Sequence, residues 1–330
     1  MKNNHKFPYR WNLKDAVFTK DKGKVFSCFA CGGGSTMGYK LAGFDVLGCN
    51  EIDPKMIEAY RINHNPKYSY LEPIQTFKLR DDLPDELYNL DILDGSPPCS
   101  SFSMAGNREK DWGKEKVFRE GQAEQVLDTL FFDFIDLAKK LQPKIVVAEN
   151  VKGLLLGEAK SYVLRIYEEF NAAGYDVQHF LLDASKMGVP QRRERVFFIA
   201  MRKDLAKPFL HDLDMFTRVP KIEMNFNEKE IKFNEILTDG ERKKINSSMH
   251  EAYEYCMKNN YSDFAKYYED NFNKRKCFNT VLIFKNIVAS TITSSCAHVV
   301  EGEKAYINDT ELKLCGSYPL DYDFIKNKVS

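Results

Sequence analysis

A short apolar run in the first third of the chain ends in an unusually stiff turn. Leu90–Asp94 is typical of a buried strand that stops at Gly95, and Pro97 and Pro98 come directly before Cys99. Each proline fixes its own φ and pushes the preceding residue toward extended geometry. Open α/β sheets bind ligands at the carboxyl ends of their strands, so the turn predicts a thiol held at such an edge. The alternative is a structural thiol, since inert buried cysteines are common.

Composition limits the classes of protein to which the chain can belong. Its 330 residues are 43% hydrophobic and 29% charged, which predicts one large globular domain with a smaller one. No run approaches the roughly 18 apolar residues of a membrane span, and the N-terminus lacks the apolar core of a secretory signal. Eight scattered cysteines favour free thiols in the cytoplasm. The net charge of zero means that any basic surface for DNA must be local.

Strands alternate with helices over the first 204 residues, which predicts an α/β fold with a parallel sheet. The glycine-rich turn after the first strand permits close approach to a ligand, and Ser35 is predicted to cap the next helix. The same order of a strand, a glycine-rich turn, a helix, a second strand and an acid also fits a NAD site. A glycine-rich turn that binds no ligand is the other alternative. The predicted strands are 25–30, 45–49, 90–94, 144–148, 177–182 and 196–201, and the predicted helices are 36–42, 53–63, 123–141 and 159–173.

Three further groups follow predicted strands. Glu51 and Glu149 each end a strand, at the same edge as Cys99. The block Gln191–Arg195, which precedes a predicted strand, contains three arginines. Their guanidinium groups suit phosphates and carbonyl oxygens. A solvated surface is the alternative for these charges. Cys28 and Cys31 form a Cys-x-x-Cys pair, but without a second pair at metal spacing the sequence does not favour a zinc or redox site.

These blocks, in this order, resemble the C5-cytosine DNA methyltransferases of bacterial and phage restriction–modification systems. The resemblance rests on Phe29–Gly34, the Pro-Pro-Cys turn, Glu149-Asn150-Val151, Gln-Arg-Arg-x-Arg and Ser290–Thr293. It implies a Rossmann-like sheet dependent on S-adenosylmethionine, with helices on both faces, plus a smaller irregular target-recognition domain. One departure is Cys31, where the family usually has glycine.

The resemblance also implies roles for individual residues. Those expected in catalysis are Cys99, Glu149, Arg193 and Arg195. Those expected to bind the cofactor are Phe29, Ala30, Gly32, Gly33, Gly34, Glu51, Ile52, Asp94, Pro97 and Leu130. Those expected at the DNA are Ser100, Ser103, Asn150, Gln191, Arg192 and Thr291. No metal is expected, and the loop 104–122 is expected to close over an extruded cytosine.

The same resemblance suggests a division into domains and a set of partners. We expect a catalytic domain over 1–204, a target-recognition domain over 205–284 and a return segment over 285–330. The family's last block, which closes the cofactor side of the sheet, is not found before Ser330. Double-stranded DNA is the expected partner, with a cognate restriction endonuclease as a further candidate. We expect a monomer unless a second chain supplies the last block.

Three alternatives to a DNA methyltransferase stay open at this point. The chain could be an inactive or partner-dependent DNA-binding subunit of the same fold, and cofactor titration would discriminate. It could be a tRNA cytosine-5 methyltransferase, although the long aromatic-rich region 205–284 argues against that. A NAD-dependent oxidoreductase would explain the glycine-rich turn, but neither the Pro-Pro-Cys turn nor the arginine block.

Overall fold

The computed structural model describes residues 5–325 except 7, 99–114, 117–124, 127–128, 157–158, 213–217, 221, 275, 278 and 294–296. The chain divides into two compact units. The sheet unit comprises Ala16–Leu182, Glu194–Met224 and Asp323–Ser330. The second unit comprises Met1–Asp15, Asp183–Arg193 and Asn225–Tyr322. The described residues of 205–224, a range expected to belong to the target-recognition domain, cluster with the sheet unit.

The sheet unit is built on one sheet of seven strands, which confirms the predicted α/β fold. The strands are β1 (Lys24–Cys28), β2 (Asp45–Glu51), β3 (Tyr68–Leu71), β4 (Ile92–Gly95), β5 (Ile145–Val151), β6 (Tyr175–Asp183) and β7 (Glu194–Arg202). Their spatial order is β3-β2-β1-β4-β5-β7-β6. The first five strands are parallel, whereas β7 pairs with β5 antiparallel, so the predicted parallel sheet is in fact mixed.

The helices of the sheet unit bury apolar faces against this sheet. They are α1 (Gly34–Leu41), α2 (Pro54–His64), α3 (Ile74–Phe77), α4 (Leu130–Leu141), α5 (Lys160–Ala172) and α6 (Lys203–Ala206). In α4, Phe131 and Phe134 are almost fully buried, and Phe131 meets Phe198 edge to face at 5.5 Å. The helix predicted over 123–141 begins only at Leu130, because Gln125–Val126 forms a short antiparallel pair with Glu115–Lys116.

The second unit has its own small sheet and its own core. Its strands are β8 (Thr280–Ile283), β9 (Ala297–Val300) and β10 (Ala305–Tyr306), and its helices are α7 (Phe233–Ile236), α8 (His250–Asn259), α9 (Ala265–Phe272) and α10 (Asp309–Cys315). Phe233 and Phe264 are fully buried in two separate clusters. Many aromatic residues of this region are therefore core residues. Among the described residues, no helix has the length and apolar character needed to cross a membrane.

Candidate active site

The polar residues at the carboxyl edge of the sheet are brought together by strand register. Cys28, at the end of β1, pairs with Gly95, at the end of β4, and Gly95 pairs with Ala148 of β5. Glu149, the residue after Ala148, therefore lies beside the segment that follows β4 and leads to Pro97. Because these strands are parallel, all three ends meet at one edge, where ligands of open α/β sheets bind.

The glycine-rich turn leaves β1 in a left-handed backbone conformation. Phe29, Cys31 and Gly33 have φ values of 51°, 46° and 89°. A Cβ atom on Gly33 would lie 2.3 Å from Nε2 of His64, so this position requires glycine on two grounds. Gly33 itself occupies the N-cap position of α1 without a side-chain cap, and the predicted capping role of Ser35 is wrong.

Glu51 holds this turn to the end of β2. Its Oε2 accepts a hydrogen bond from the Cys31 amide at 2.7 Å, and its Oε1 accepts bonds from the Ile52 and Asp53 amides at 2.8 and 2.9 Å. Burial raises the pKa of Glu51, while the three amide bonds oppose that shift. Glu51 is 5% exposed, and the three amides occupy three of the about four acceptor positions of its carboxylate. The remaining acceptor position on Oε2 suits a ligand hydroxyl that donates a hydrogen bond, as an acid that binds a ribose requires.

Asp94 is a buried carboxylate near the end of strand β4. Its carboxylate is the acceptor for hydroxyl groups of Ser27, Ser35 and Tyr39, at 3.1, 2.8 and 3.1 Å. The residue is 5% exposed, and burial raises its pKa to about 6 against the effect of the hydroxyl donors. Asp94 therefore lies beneath the first turn of α1, where its hydrogen bonds join β4 to β1 and α1.

Glu149 and Arg195 form an ion pair across neighbouring antiparallel strands. The pairings of Glu149 with Phe197 and of Val151 with Arg195 put the two side chains diagonally on one face. Arg195 Nε lies 2.9 Å from Glu149 Oε1, and the side chains are 21% and 26% exposed. A carboxyl group at a sheet edge is thus fixed in direction while still open to solvent.

Asn150 ties the turn before Cys99 to strand β5. Its Nδ2 donates to the buried Pro97 carbonyl at 3.2 Å, and its Oδ1 accepts a bond from the Val151 amide at 2.8 Å. Asn150 is only 4% exposed. Its predicted contact with DNA is therefore replaced by a contact that positions the turn.

The Asn150→Ala substitution would leave the Pro97 carbonyl without this donor. An unmet buried carbonyl costs about 1–3 kcal/mol, so we expect the free energy of unfolding to fall by that amount. The exposed Asn89 donates to the Asp85 carbonyl at 3.1 Å, and Asn89→Ala serves as the control, with a loss below about 0.5 kcal/mol. Urea unfolding of both variants measures the difference. Equal losses would contradict the role of Asn150.

A comparison with family models decides the relationship. The family described as C-5 cytosine-specific DNA methylase matches residues 23–330. The chain belongs to this family. The predicted resemblance is confirmed, and the family implies S-adenosylmethionine as the methyl donor.

Relatives of the chain include type II methyltransferases of bacteria. The type II methyltransferase M.FnuDI of Fusobacterium nucleatum is 37% identical over 182 residues, which cover 55% of this chain and 48% of that protein. M.NgoPII of Neisseria gonorrhoeae is 37% identical over 187 residues, which cover 56% and 50%. The chain thus spans about half the length of the curated relatives it matches. The solved Dnmt2 methyltransferase of S. pombe shares the fold, with a TM-score of 0.58 at 14% identity over 93% of this chain and 90% of that one.

The first three residues of the block Gln191–Arg195 belong to the second unit, where neighbouring segments hold them, whereas Glu194 and Arg195 belong to the sheet unit. Gln191 Nε2 donates to the Cys315 carbonyl at 3.2 Å, and its Oε1 accepts from the Ile292 amide at 3.1 Å. The Thr291 hydroxyl donates to the Arg192 carbonyl at 2.7 Å. Gln191 is 5% exposed, so its amide groups are used within the unit instead of at DNA.

The predicted site residues are thus only partly brought together. The sheet unit assembles the glycine-rich turn with Glu51 and, separately, the pair formed by Glu149 and Arg195. Leu130 is fully buried in the core, so its side chain presents no surface to a cofactor. Cys99, Ser100 and Ser103 lie outside the described residues, as does most of the loop 104–122. The sequence analysis did not predict that Ser27 and Tyr39 donate hydrogen bonds to Asp94. The available signal was an acid inside an apolar strand, which needs hydrogen-bond donors around it.

Proposed function

We propose that this protein transfers a methyl group from S-adenosylmethionine to C5 of a cytosine in duplex DNA, through a covalent bond to Cys99. The observation that carries the proposal is the ion pair of Glu149 with Arg195 at the sheet edge, beside the buried Pro97 that leads into Cys99. We also propose that the second unit reads the DNA sequence. The type II methyltransferases among the relatives support a cognate restriction endonuclease as a further partner.

The chain's own residues fit the binding and activation steps. The turn at Phe29–Gly34 and the free acceptor position of Glu51 would hold the cofactor, whose sulfonium supplies the methyl group. The Cys99 thiolate adds to C6 of the cytosine, and the electron pair of the broken double bond becomes available at C5. After transfer, a base or water removes the C5 proton, and the electron pair of that C–H bond re-forms the C5–C6 double bond as the Cys99 thiolate leaves.

Glu149 would recognise the cytosine ring by its hydrogen-bonding groups. Its carboxylate would accept a hydrogen bond from the 4-amino group, which distinguishes cytosine from thymine, where a carbonyl stands in that place. Arg195 Nε holds Oε1 of this carboxyl at 2.9 Å and so sets its direction. The target base must leave the stack to reach these groups, at a cost of about a few kcal/mol.

Covalent trapping tests the proposal. Duplexes of randomised sequence that carry 5-fluorocytosine should form a denaturant-resistant complex with the wild-type protein and S-adenosylmethionine, because fluorine cannot leave as the proton does. Cys99→Ala should form none, whereas Cys277→Ala, which removes a partly exposed free thiol of the second unit, should trap normally. No complex with the wild type, or trapping by Cys99→Ala, would overturn the proposal. Methylation of tRNA instead of DNA would favour the RNA enzyme.

A further inference from the structure

A carboxylate interrupts the apolar strand β4 immediately before the turn that leads to Cys99. This carboxylate belongs to Asp94, which is buried, as are its strand neighbours Leu93 and Gly95. The Asp94 carboxylate accepts hydroxyl hydrogen bonds from Ser27 of β1 and from Ser35 and Tyr39 of α1. It thereby joins three elements, two of which flank the glycine-rich turn.

The negative charge of Asp94 is solvated by neutral groups. None of the ion pairs among the described residues involves Asp94. Burial and the nearby Asp94 carboxylate raise the pKa values of Cys28 and Tyr39 well above their ordinary values, so both stay protonated. Glu149 of β5 is the other ionisable group whose charge acts on Asp94. No cation of the described chain therefore cancels this charge at short range.

The position of the charge matters because the two strand ends beside it carry both halves of the proposed site. Ser27 pairs with Asp94 in the β1–β4 register, one residue before the Cys28–Gly95 pair that closes the sheet edge. The cofactor turn follows β1, and the turn to Cys99 follows β4. A methyl donor held by the glycine-rich turn would carry a positive sulfonium, whereas its product would carry a neutral thioether.

We propose that Asp94 is a positioning residue whose buried negative charge favours the cationic methyl donor over its neutral product, without touching either. The inference rests on the proposed function. It gives the chain a means to exchange spent cofactor for fresh cofactor, since the two ligands otherwise share every polar group. In a protein interior, a buried unit charge near an opposite charge changes an affinity by a factor on the order of ten, which is the expected size of the preference.

Calorimetric titration tests this with S-adenosylmethionine and S-adenosylhomocysteine against the same protein at pH 7.5. We expect Asp94→Asn to lose affinity for the donor about tenfold more than for the product. The matched control Tyr39→Phe removes a hydroxyl donor at 3.1 Å while leaving the charge, so both affinities should change by the same factor. A merely structural role for Asp94 would lower both affinities equally in Asp94→Asn and would overturn the inference.

The wild-type protein gives a second test that does not depend on the folding of a variant. The pKa of Asp94 is raised to about 6, so its charge is present at pH 7.5 and is lost as pH falls through 6. The ratio of donor to product affinity should therefore drop about tenfold between pH 7.5 and pH 5, while the shared amino and carboxyl groups of the ligands cancel. A ratio that does not change with pH overturns the inference alone. Failure of both ligands to bind overturns the proposed function as well.

Discussion

Arg195→Ala is expected to lower the single-turnover rate of cytosine methylation by about 10²–10³, at saturating DNA and cofactor. The variant removes the guanidinium that lies 2.9 Å from Glu149 and leaves that carboxyl free to rotate. Arg195→Lys keeps the charge but not the planar fork, so we expect it to recover only a small part of the loss. Rapid-quench measurement of methyl incorporation gives the rate of the chemical step.

A neighbouring ion pair provides the control for this prediction. Lys152 Nζ lies 2.8 Å from Glu194 Oε2 at the same end of strands β5 and β7, but the two side chains are 44% and 43% exposed. Exposed pairs contribute about 0–1 kcal/mol, so Lys152→Ala should change the rate less than about fivefold. Equal effects of Arg195→Ala and Lys152→Ala would contradict a specific role for the Glu149–Arg195 pair.

Local sequence pattern predicted the architecture of the sheet unit well because that architecture depends on short-range periodicity. The apolar runs that follow Pro143 and precede Gly95 became the central strands β5 and β4, as their composition indicated. The same reasoning overextended α4, since residues 125–126 pair with a segment ten residues earlier. Pairing between segments overrides helical periodicity, and a single sequence contains no signal for it.

Side-chain partners were harder to predict than elements. Ser35 can satisfy either a helix N-terminus or a distant acceptor, and the structure has it donate to Asp94, 59 residues away. Asn150 follows Glu149 and was expected to face DNA, yet its amide holds the Pro97 carbonyl. Both choices depend on which strands are neighbours. The sequence therefore predicted the groups at the sheet edge, and the structure distinguished those open to a ligand from those that position their neighbours.

Gly48 of β2 lies against the backbone of the neighbouring strand β3, and its replacement should have a large effect on stability. The β1–β2 register skips Leu47, since Val25 pairs with Val46 and Phe26 with Gly48, so β2 carries a bulge at this point. On the other side, a Cβ atom on Gly48 would lie 1.9 Å from the Tyr68 carbonyl oxygen of β3. Backbone atoms of a central sheet cannot move aside as a flexible side chain can.

We therefore expect Gly48→Ala to lower the free energy of unfolding by at least about 3 kcal/mol. The control is Gly38→Ala in α1, where a Cβ atom would meet nothing within 4 Å and where alanine should stabilise the helix by about 0.5–1 kcal/mol. Urea unfolding at one pH measures both changes. Because β2 ends at Glu51, a shift of this strand would also move the acid that holds the cofactor turn. Gly48→Ala should thus weaken cofactor binding as well, and a Gly48→Ala protein as stable as the wild type would contradict the close approach of β2 and β3.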